Sequence, residues 1–270
     1  MRATYAGTQS PGVLPAPELS LVMPCYDEQE VVERTVSDLF AAFDAGGRRL
    51  ELIAVDNGSR DRTGAILAEL ARREPRLVVA RVEVNEGYGK GVLAGLPLAR
   101  APWIGLICAD GQVAAADVVR LFARAGPEAG ARLFKVRRRF RRDGLRRKIV
   151  SVIYNVLMTV LYPGIGSIDV NGNPKILPRE ALERMGLVST DWFLDAEILI
   201  RARSLRLPVV EVDVAGHARG GGRSNVRAST CLEFARHLLE HRLLGRGIGA
   251  DARRGGTPAA RADAVASPRR

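Results

Sequence analysis

The chain has 270 residues, is 47% apolar and 26% charged, and carries a net charge of +11. That size and balance suit one large globular domain with appendages. Three cysteines, Cys25, Cys108 and Cys231, are odd in number and widely spaced, which argues against a disulfide framework or a zinc site and for a reducing compartment. The basic excess brings nucleic acid, anionic membrane and phosphorylated ligands into consideration as partners.

Residues 1–17, rich in Gly, Pro and Ala, read as a loose arm. No charged segment followed by an apolar core opens the chain, so a signal peptide is not expected. Strands are predicted near 19–23, 50–55, 77–82, 103–108, 132–136 and 208–213. Helices are predicted over 28–43, 62–73, 90–99, 115–125, 145–161, 193–204 and 229–243. The alternation points to a mainly parallel sheet with helices on both faces, in one domain over 18–245. Residues 246–270, rich in Gly, Ala, Arg and Pro, read as a disordered basic tail.

Several predicted strands stop abruptly at turn-forming and acidic residues. Leu19–Met23 runs into Pro24-Cys25-Tyr26-Asp27-Glu28, and Leu52–Val55 into Asp56-Asn57-Gly58-Ser59-Arg60-Asp61-Arg62-Thr63. Continuous apolar runs of this kind are buried parallel strands, and ligands collect at their carboxyl ends. A tyrosine there offers a flat face to a nucleobase, and a carboxylate accepts bonds from a ribose or base. Turn chemistry alone is the competing reading, with Gly58 making a tight turn and Asp61 capping the next helix. Asn85-Glu86-Gly87-Tyr88-Gly89-Lys90-Gly91 completes neither the dinucleotide nor the P-loop spacing, and reads only as a flexible loop near anionic ligands. Ile104–Ile107 runs into Cys108-Ala109-Asp110-Gly111-Gln112, whose hard oxygen ligands suit Mg²⁺ or Mn²⁺.

Charge is concentrated in 132–148, with ten basic residues against Asp143. This run either guides a lipid phosphate or forms a solvated positive face. The helix beginning at Arg146 has apolar residues at helical spacing from Ile149 to Leu161 behind Arg146, Arg147 and Lys148. It packs on the sheet or lies in a membrane interface. Ser151, Asn155, Thr159, Pro163 and Gly164 interrupt the longest apolar segment, so a spanning helix is not expected. His217 reads as a loop residue, and His237 and His241 as a solvated helix face.

Taken in order, Val22–Glu28, Val55–Thr63, Asn85–Gly91 and Cys108–Gln112 resemble the family 2 glycosyltransferases of the GT-A (nucleotide-diphospho-sugar transferase) fold. The similarity is strongest to their polyprenyl-phosphate (dolichyl-phosphate) sugar synthase branch. Asp169–Lys175, Trp192–Glu197 and Arg219–Asn225 agree, so that the resemblance covers about residues 18–228. It implies a mixed, mainly parallel sheet, and a hexose moved with inversion from a GDP-mannose- or UDP-glucose-type donor to a polyprenyl phosphate. It implies that Pro24, Tyr26, Glu28, Asp56 and Asn57 hold the nucleoside, with Val55, Lys90, Cys108, Ala109 and Ser224 also on the donor. Asp110 and Gln112 would hold the Mg²⁺ or Mn²⁺, and Arg137 and Arg219 would face the diphosphate. Asp195, with Asp169 behind it, is the candidate base for a hydroxyl acceptor.

Three departures from the family pattern stand out: Cys108 replaces an acid, Asn57 stands where aspartate is frequent, and Asn225 where lysine is expected. A thiol is a poor partner for hard cations. The implied setting is the cytoplasmic face of a membrane, with peripheral attachment directly or through a membrane-anchored partner subunit. The rivals are a family 2 transferase acting on a soluble small-molecule or a cell-envelope saccharide acceptor, a catalytically silent relative, and a nucleic-acid-binding protein. Aromatics at 5% with no interleaved RNA motif argue against nucleic acid.

Overall fold

The computed structural model describes residues 15–125, 130–139 and 145–216, with backbone only over 145–150. The predicted helix 229–243, the tail, Arg219, Ser224 and all three histidines lie outside the described residues. Seven strands form one sheet: β1 (Leu19–Cys25), β2 (Leu50–Asn57), β3 (Leu77–Val82), β4 (Trp103–Leu106), β5 (Leu133–Arg139), β6 (Lys175–Pro178) and β7 (Val209–Ala215). Their order is β3-β2-β1-β4-β6-β5-β7. Only β6 runs against its neighbours, β4 and β5; every other pairing is parallel.

All eight residues of β2 are buried, and only Pro24 in β1 is even partly open. Strand alternation sends Leu21, Met23, Leu52 and Ala54 to one face and Val22, Ile53 and Val55 to the other. The first face packs against α1 (Val32–Ala45), α2 (Thr63–Arg73) and α4 (Ala115–Ala123). The second packs against α3 (Tyr88–Gly95), α5 (Leu145–Leu161), α6 (Arg179–Met185) and α7 (Leu194–Ser204). In α1 the buried stripe is Val32, Val36, Leu39, Phe40 and Phe43, a helical spacing that covers the sheet with one face.

The predicted helix start at Glu28 gives way to a turn, because the Glu28 carbonyl accepts both Val31 and Val32 N–H groups and α1 begins only at Val32. β4 leaves the ladder at Leu106, which frees 107–112 to form a loop. β6 and α6 are additional elements. Four residues that begin with a lysine and end in a proline carry no strand signature, and seven residues are too few for a helical period to show.

The glycine-rich segment 85–91 proves to be a packing cradle. A Cβ on Gly89 would stand 2.2 Å from the Ser189 carbonyl oxygen, and one on Gly87 2.6 Å from that of Thr190. The Lys90 N–H donates to the Thr190 carbonyl at 2.7 Å. Opposite, the buried Glu197 carboxylate accepts the Val188 and Ser189 N–H groups at 3.2 and 2.9 Å. Segment 188–191 is therefore held between α3 and α7. Gly89→Ala forces two backbones apart, and a loss of about 1–3 kcal/mol in urea unfolding is expected. Unchanged stability would contradict the close approach.

Candidate active site

Strand order reverses between β1 and β4, since β2 follows on one side of β1 and β4 lies on the other. In open α/β sheets a crevice forms at such a point, beyond the carboxyl ends of the strands. The ends of β1, β2, β4 and β5 share this edge, and the antiparallel β6 begins there.

One wall comes from β1 and β2. Pro24 and half-buried Tyr26 lead to Glu28, which is 7% exposed. Loop 56–63 is stitched onto this segment: Glu28 N–H donates to Thr63 Oγ1 at 2.9 Å, and Gln29 N–H to Asp61 Oδ2 at 3.1 Å. Asp61 also accepts from Thr63, so its role is local. Asp56 is buried and accepts the Ser59 N–H at 3.0 Å. A Cβ on Gly64 would fall 2.4 Å from Asp56 Oδ2, so glycine leaves that carboxylate its room. Asn57 donates to the Gly87 carbonyl at 2.9 Å, while its buried Oδ1 accepts no hydrogen bond. Val55 is wholly buried beneath this wall.

The other wall comes from the loop after β4. Ala109 is buried and its carbonyl accepts the Thr35 hydroxyl at 3.0 Å, which anchors the loop to α1. Asp110 Oδ1 accepts the Gln112 N–H at 3.2 Å. A cavity of about 540 Å³ opens here, lined among others by Thr35, Cys108, Asp110, Gln112, Arg138 and Asn173. Burial raises the Cys108 thiol to about 12, Asp110 and Asp195 push the same way, and Arg138 opposes them. The sulfur is therefore protonated at neutral pH. Burial also raises the Cys25 thiol, followed by Glu28, Asp56 and Cys108. Cys25 and Cys108, at the ends of the neighbouring strands β1 and β4, thus lie within electrostatic reach of each other.

Beneath the crevice lies a buried polar network. Lys175 Nζ sits 2.6 Å from Asp195 Oδ1, and neither residue is more than 1% exposed. The lysine also donates to Asn173 Oδ1 and the Gly172 carbonyl, both at 3.2 Å. Asn173 Nδ2 lies 3.2 Å from Asp195 Oδ2, 3.3 Å from the Tyr88 hydroxyl and 3.7 Å from Cys108 Sγ. Tyr88 stacks on Trp192 at 4.7 Å, nearly parallel. Beside this network Arg138 grips Asp169 with two bonds of 3.0 Å and a backbone N–H at 3.1 Å. Burial opposes the Asp169 charge, but Arg138 prevails and holds the carboxyl well below its usual range. Lys135 joins Glu211 at 3.0 Å, and burial together with Lys175 pulls its ammonium down to about 8.

Arg137 requires correction. It is not among the residues lining the cavity; its guanidinium lies on Asp213, its register partner in β7, at 2.5 and 2.8 Å. Side chains alternate along a strand, so the neighbouring Arg138 reaches the cavity instead. Lys90 pairs with Glu86 at 3.2 Å one helical turn away. Sequence reasoning passed over Arg138, Asn173, Lys175 and Tyr88. Asn173 and Lys175 stood within a quoted motif, and two-residue alternation could have singled out Arg138.

A mixed sheet of this order, with acids gathered at its switch point, defines the GT-A fold of nucleotide-sugar transferases. Residues 20–185 match the family model for glycosyl transferase family 2. An uncharacterized glycosyltransferase of Mycobacterium tuberculosis H37Rv is 34% identical over 213 residues, covering 78% of this chain and 90% of the relative. Undecaprenyl-phosphate 4-deoxy-4-formamido-L-arabinose transferase of Shewanella sediminis is 32% identical over 142 residues, or 52% of this chain and 42% of that protein. Among solved structures, glucosyl-3-phosphoglycerate synthase from Mycobacterium tuberculosis with Mn²⁺, UDP and glucosyl-3-phosphoglycerate superposes with a TM-score of 0.66 at 20% identity, covering 84% of this chain and 80% of that one. The chain belongs to glycosyl transferase family 2 and is a glycosyltransferase.

Two predictions follow from the buried pairs. Lys175→Met strands the Asp195 carboxylate, at an expected cost of about 3–5 kcal/mol in urea unfolding, and adding Asp195→Leu recovers most of it. A harmless single substitution would contradict the pairing. The folded Asp169 carboxyl titrates below its ordinary value of 3.8. Its contribution is therefore complete above that value and is lost as pH falls below it. Asp169→Asn should flatten the decline of stability with pH in that acid range; an unaltered slope would refute the role given to Arg138.

Proposed function

We propose that the enzyme transfers a hexose from a nucleoside-diphosphate sugar to a polyprenyl phosphate, inverting the anomeric carbon in one in-line displacement. The observation that carries this reading is the convergence of strand ends at one edge of the sheet, with Glu28, Asp56 and Asn57 beyond β1 and β2, and Asp110 after β4 and Arg138 on β5 lining a cavity. The first wall suits a nucleoside. Carboxylates there accept ribose and base donors, and the unmet Asn57 Oδ1 gains a partner from a base N–H, which removes a cost of about 1–3 kcal/mol.

The second wall suits the diphosphate. Asp110 and Gln112 supply hard oxygen atoms that fit Mg²⁺ or Mn²⁺. Cys108, held as a thiol, adds no charge, so Asp110 and Gln112 would hold the cation together with substrate phosphate oxygens and water. When bound, such a cation neutralises the charge that develops on the departing diphosphate. Arg138 supports the same charge from a fixed position, an electrostatic contribution that needs no rearrangement during reaction. A phosphate acceptor is already ionised near neutral pH, so neither Asp195 nor Asp169 has to take a proton. A hydroxyl acceptor would call on one of them, and Asp195 would first have to leave Lys175.

The undecaprenyl-phosphate transferase relatives favour the lipid acceptor. A second reading, a soluble phosphorylated acceptor, is favoured by the likeness to the phosphoglycerate-dependent synthase over most of the chain. Incubation with radiolabelled GDP-mannose or UDP-glucose, Mn²⁺, polyprenyl phosphate and 3-phosphoglycerate separates the two. Label in the organic phase is expected; label only in a water-soluble product would overturn the lipid acceptor. Asp110→Ala should lower kcat about 100–1,000-fold. Cys108→Asp, by supplying a second carboxylate, should tighten Mn²⁺ at least about tenfold in calorimetry; unchanged affinity would remove the loop from the metal site.

A further inference from the structure

Asn173 is 6% exposed, yet it lines the cavity with Cys108, Asp110 and Arg138, whereas its partners Lys175, Asp195 and Tyr88 do not. It is therefore the point at which the buried Lys175–Asp195 pair reaches the space beside the cation loop. The two ends of its amide meet opposite charges. Oδ1 accepts from Lys175 Nζ at 3.2 Å, and Nδ2 lies 3.4 and 3.2 Å from Asp195 Oδ1 and Oδ2. Turning the amide over would set its oxygen against a carboxylate and its N–H groups against an ammonium, so the network fixes which end is which. Of the two N–H groups on Nδ2, one serves Asp195. The other has the Tyr88 hydroxyl at 3.3 Å and Cys108 Sγ at 3.7 Å, both long contacts, and sulfur is a weak acceptor. A carboxylate at position 108 would capture this N–H in a charge-assisted bond. The thiol leaves it for a ligand.

We propose that Asn173 recognises the sugar of the donor: its amide N–H donates to a hydroxyl of the transferred hexose, seated in the cavity beside Cys108 and Asp110. This rests on the nucleoside-diphosphate-sugar reading of the crevice. Charge selects a hydroxyl over a phosphate as the partner. Lys175 and Asp195 neutralise each other at 2.6 Å, so the amide presents a dipole to the cavity and no net charge. Arg138 brings a guanidinium to the same cavity and serves the diphosphate. An amide held at both ends by a buried pair needs no ordering when the sugar arrives. A donor fixed in this way also rejects a sugar that lacks the matching hydroxyl, because its N–H would be left without a good acceptor. Asn173 is thus a specificity-determining residue, and the pair behind it sets the direction of the bond.

The test is titration calorimetry of the full chain with Mn²⁺, comparing GDP-mannose with GDP and UDP-glucose with UDP. For the pair that binds, Asn173→Ala should weaken the nucleotide sugar about five- to tenfold, the range of one net hydrogen bond, and the bare diphosphate less than about twofold. Donor analogues that lack one sugar hydroxyl at a time supply the second measurement. One of them should lose a similar factor on the wild-type chain and lose nothing further on Asn173→Ala. Melting temperature shows whether the variant is folded, and the analogue series on the wild-type chain decides the matter if it is not. The inference is overturned if Asn173→Ala weakens sugar nucleotide and diphosphate alike, if it weakens neither, or if no single hydroxyl matters to the wild-type chain. A wild-type chain that binds none of the four nucleotides removes the donor reading and the inference with it.

Discussion

Lys175 and Asp195 are both withdrawn from water, and each ion costs several kcal/mol to desolvate. The pair survives because its remaining hydrogen-bonding capacity is used: Asn173 bonds to both partners, and the Gly172 carbonyl accepts from the lysine. Four elements meet at this point. Lys175 opens β6, Asp195 stands in the first turn of α7, and Asn173 reaches Tyr88 on α3 and Cys108 beyond β4. The antiparallel strand is what brings them together, since it begins at the edge where its neighbours end. Loss of one charge would loosen the floor of the crevice as well as a single contact.

Acids and bases divide their work by position. Asp169, Asp195 and Glu197 are buried and committed to partners that fix backbone and neighbouring side chains. Asp110 stands at the cavity and accepts the Gln112 N–H, a position suited to a ligand for a cation or phosphate. Position along β5 and the partners at hand sort the basic run in the same manner. Lys135 and Arg138 enter the polar interior, whereas Arg137 and Arg139 turn to Asp213. What composition presents as one positive patch holds, among the described residues, two populations with different duties.

Much of the fold could be read from the sequence, because buried parallel strands leave continuous apolar runs, as Leu21–Met23 in β1 and Leu52–Val55 in β2 do. The crevice followed from where those runs stop. Harder to read was whatever depends on contacts across long separations. β6 has four residues and a buried charge, so its signal lies in partners 20 or more residues away. The glycines of 85–91 suggested ligand binding, yet their spacing serves the approach of 189–191. The choice between Arg137 and Arg138 turned on strand register, which shifts by one residue between opposite faces.

In the proposed enzyme the ends of β1, β2 and β4 form one donor site, with a cation held at Asp110. Anomalous diffraction at the manganese edge, from crystals soaked with Mn²⁺ and the diphosphate of the preferred donor, tests it directly. The account predicts a metal peak on the Asp110 carboxylate, the base beside Asn57 and Tyr26, and the diphosphate between them near Arg138. A metal bound away from Asp110, or a nucleoside lodged outside the β1/β4 crevice, would contradict it.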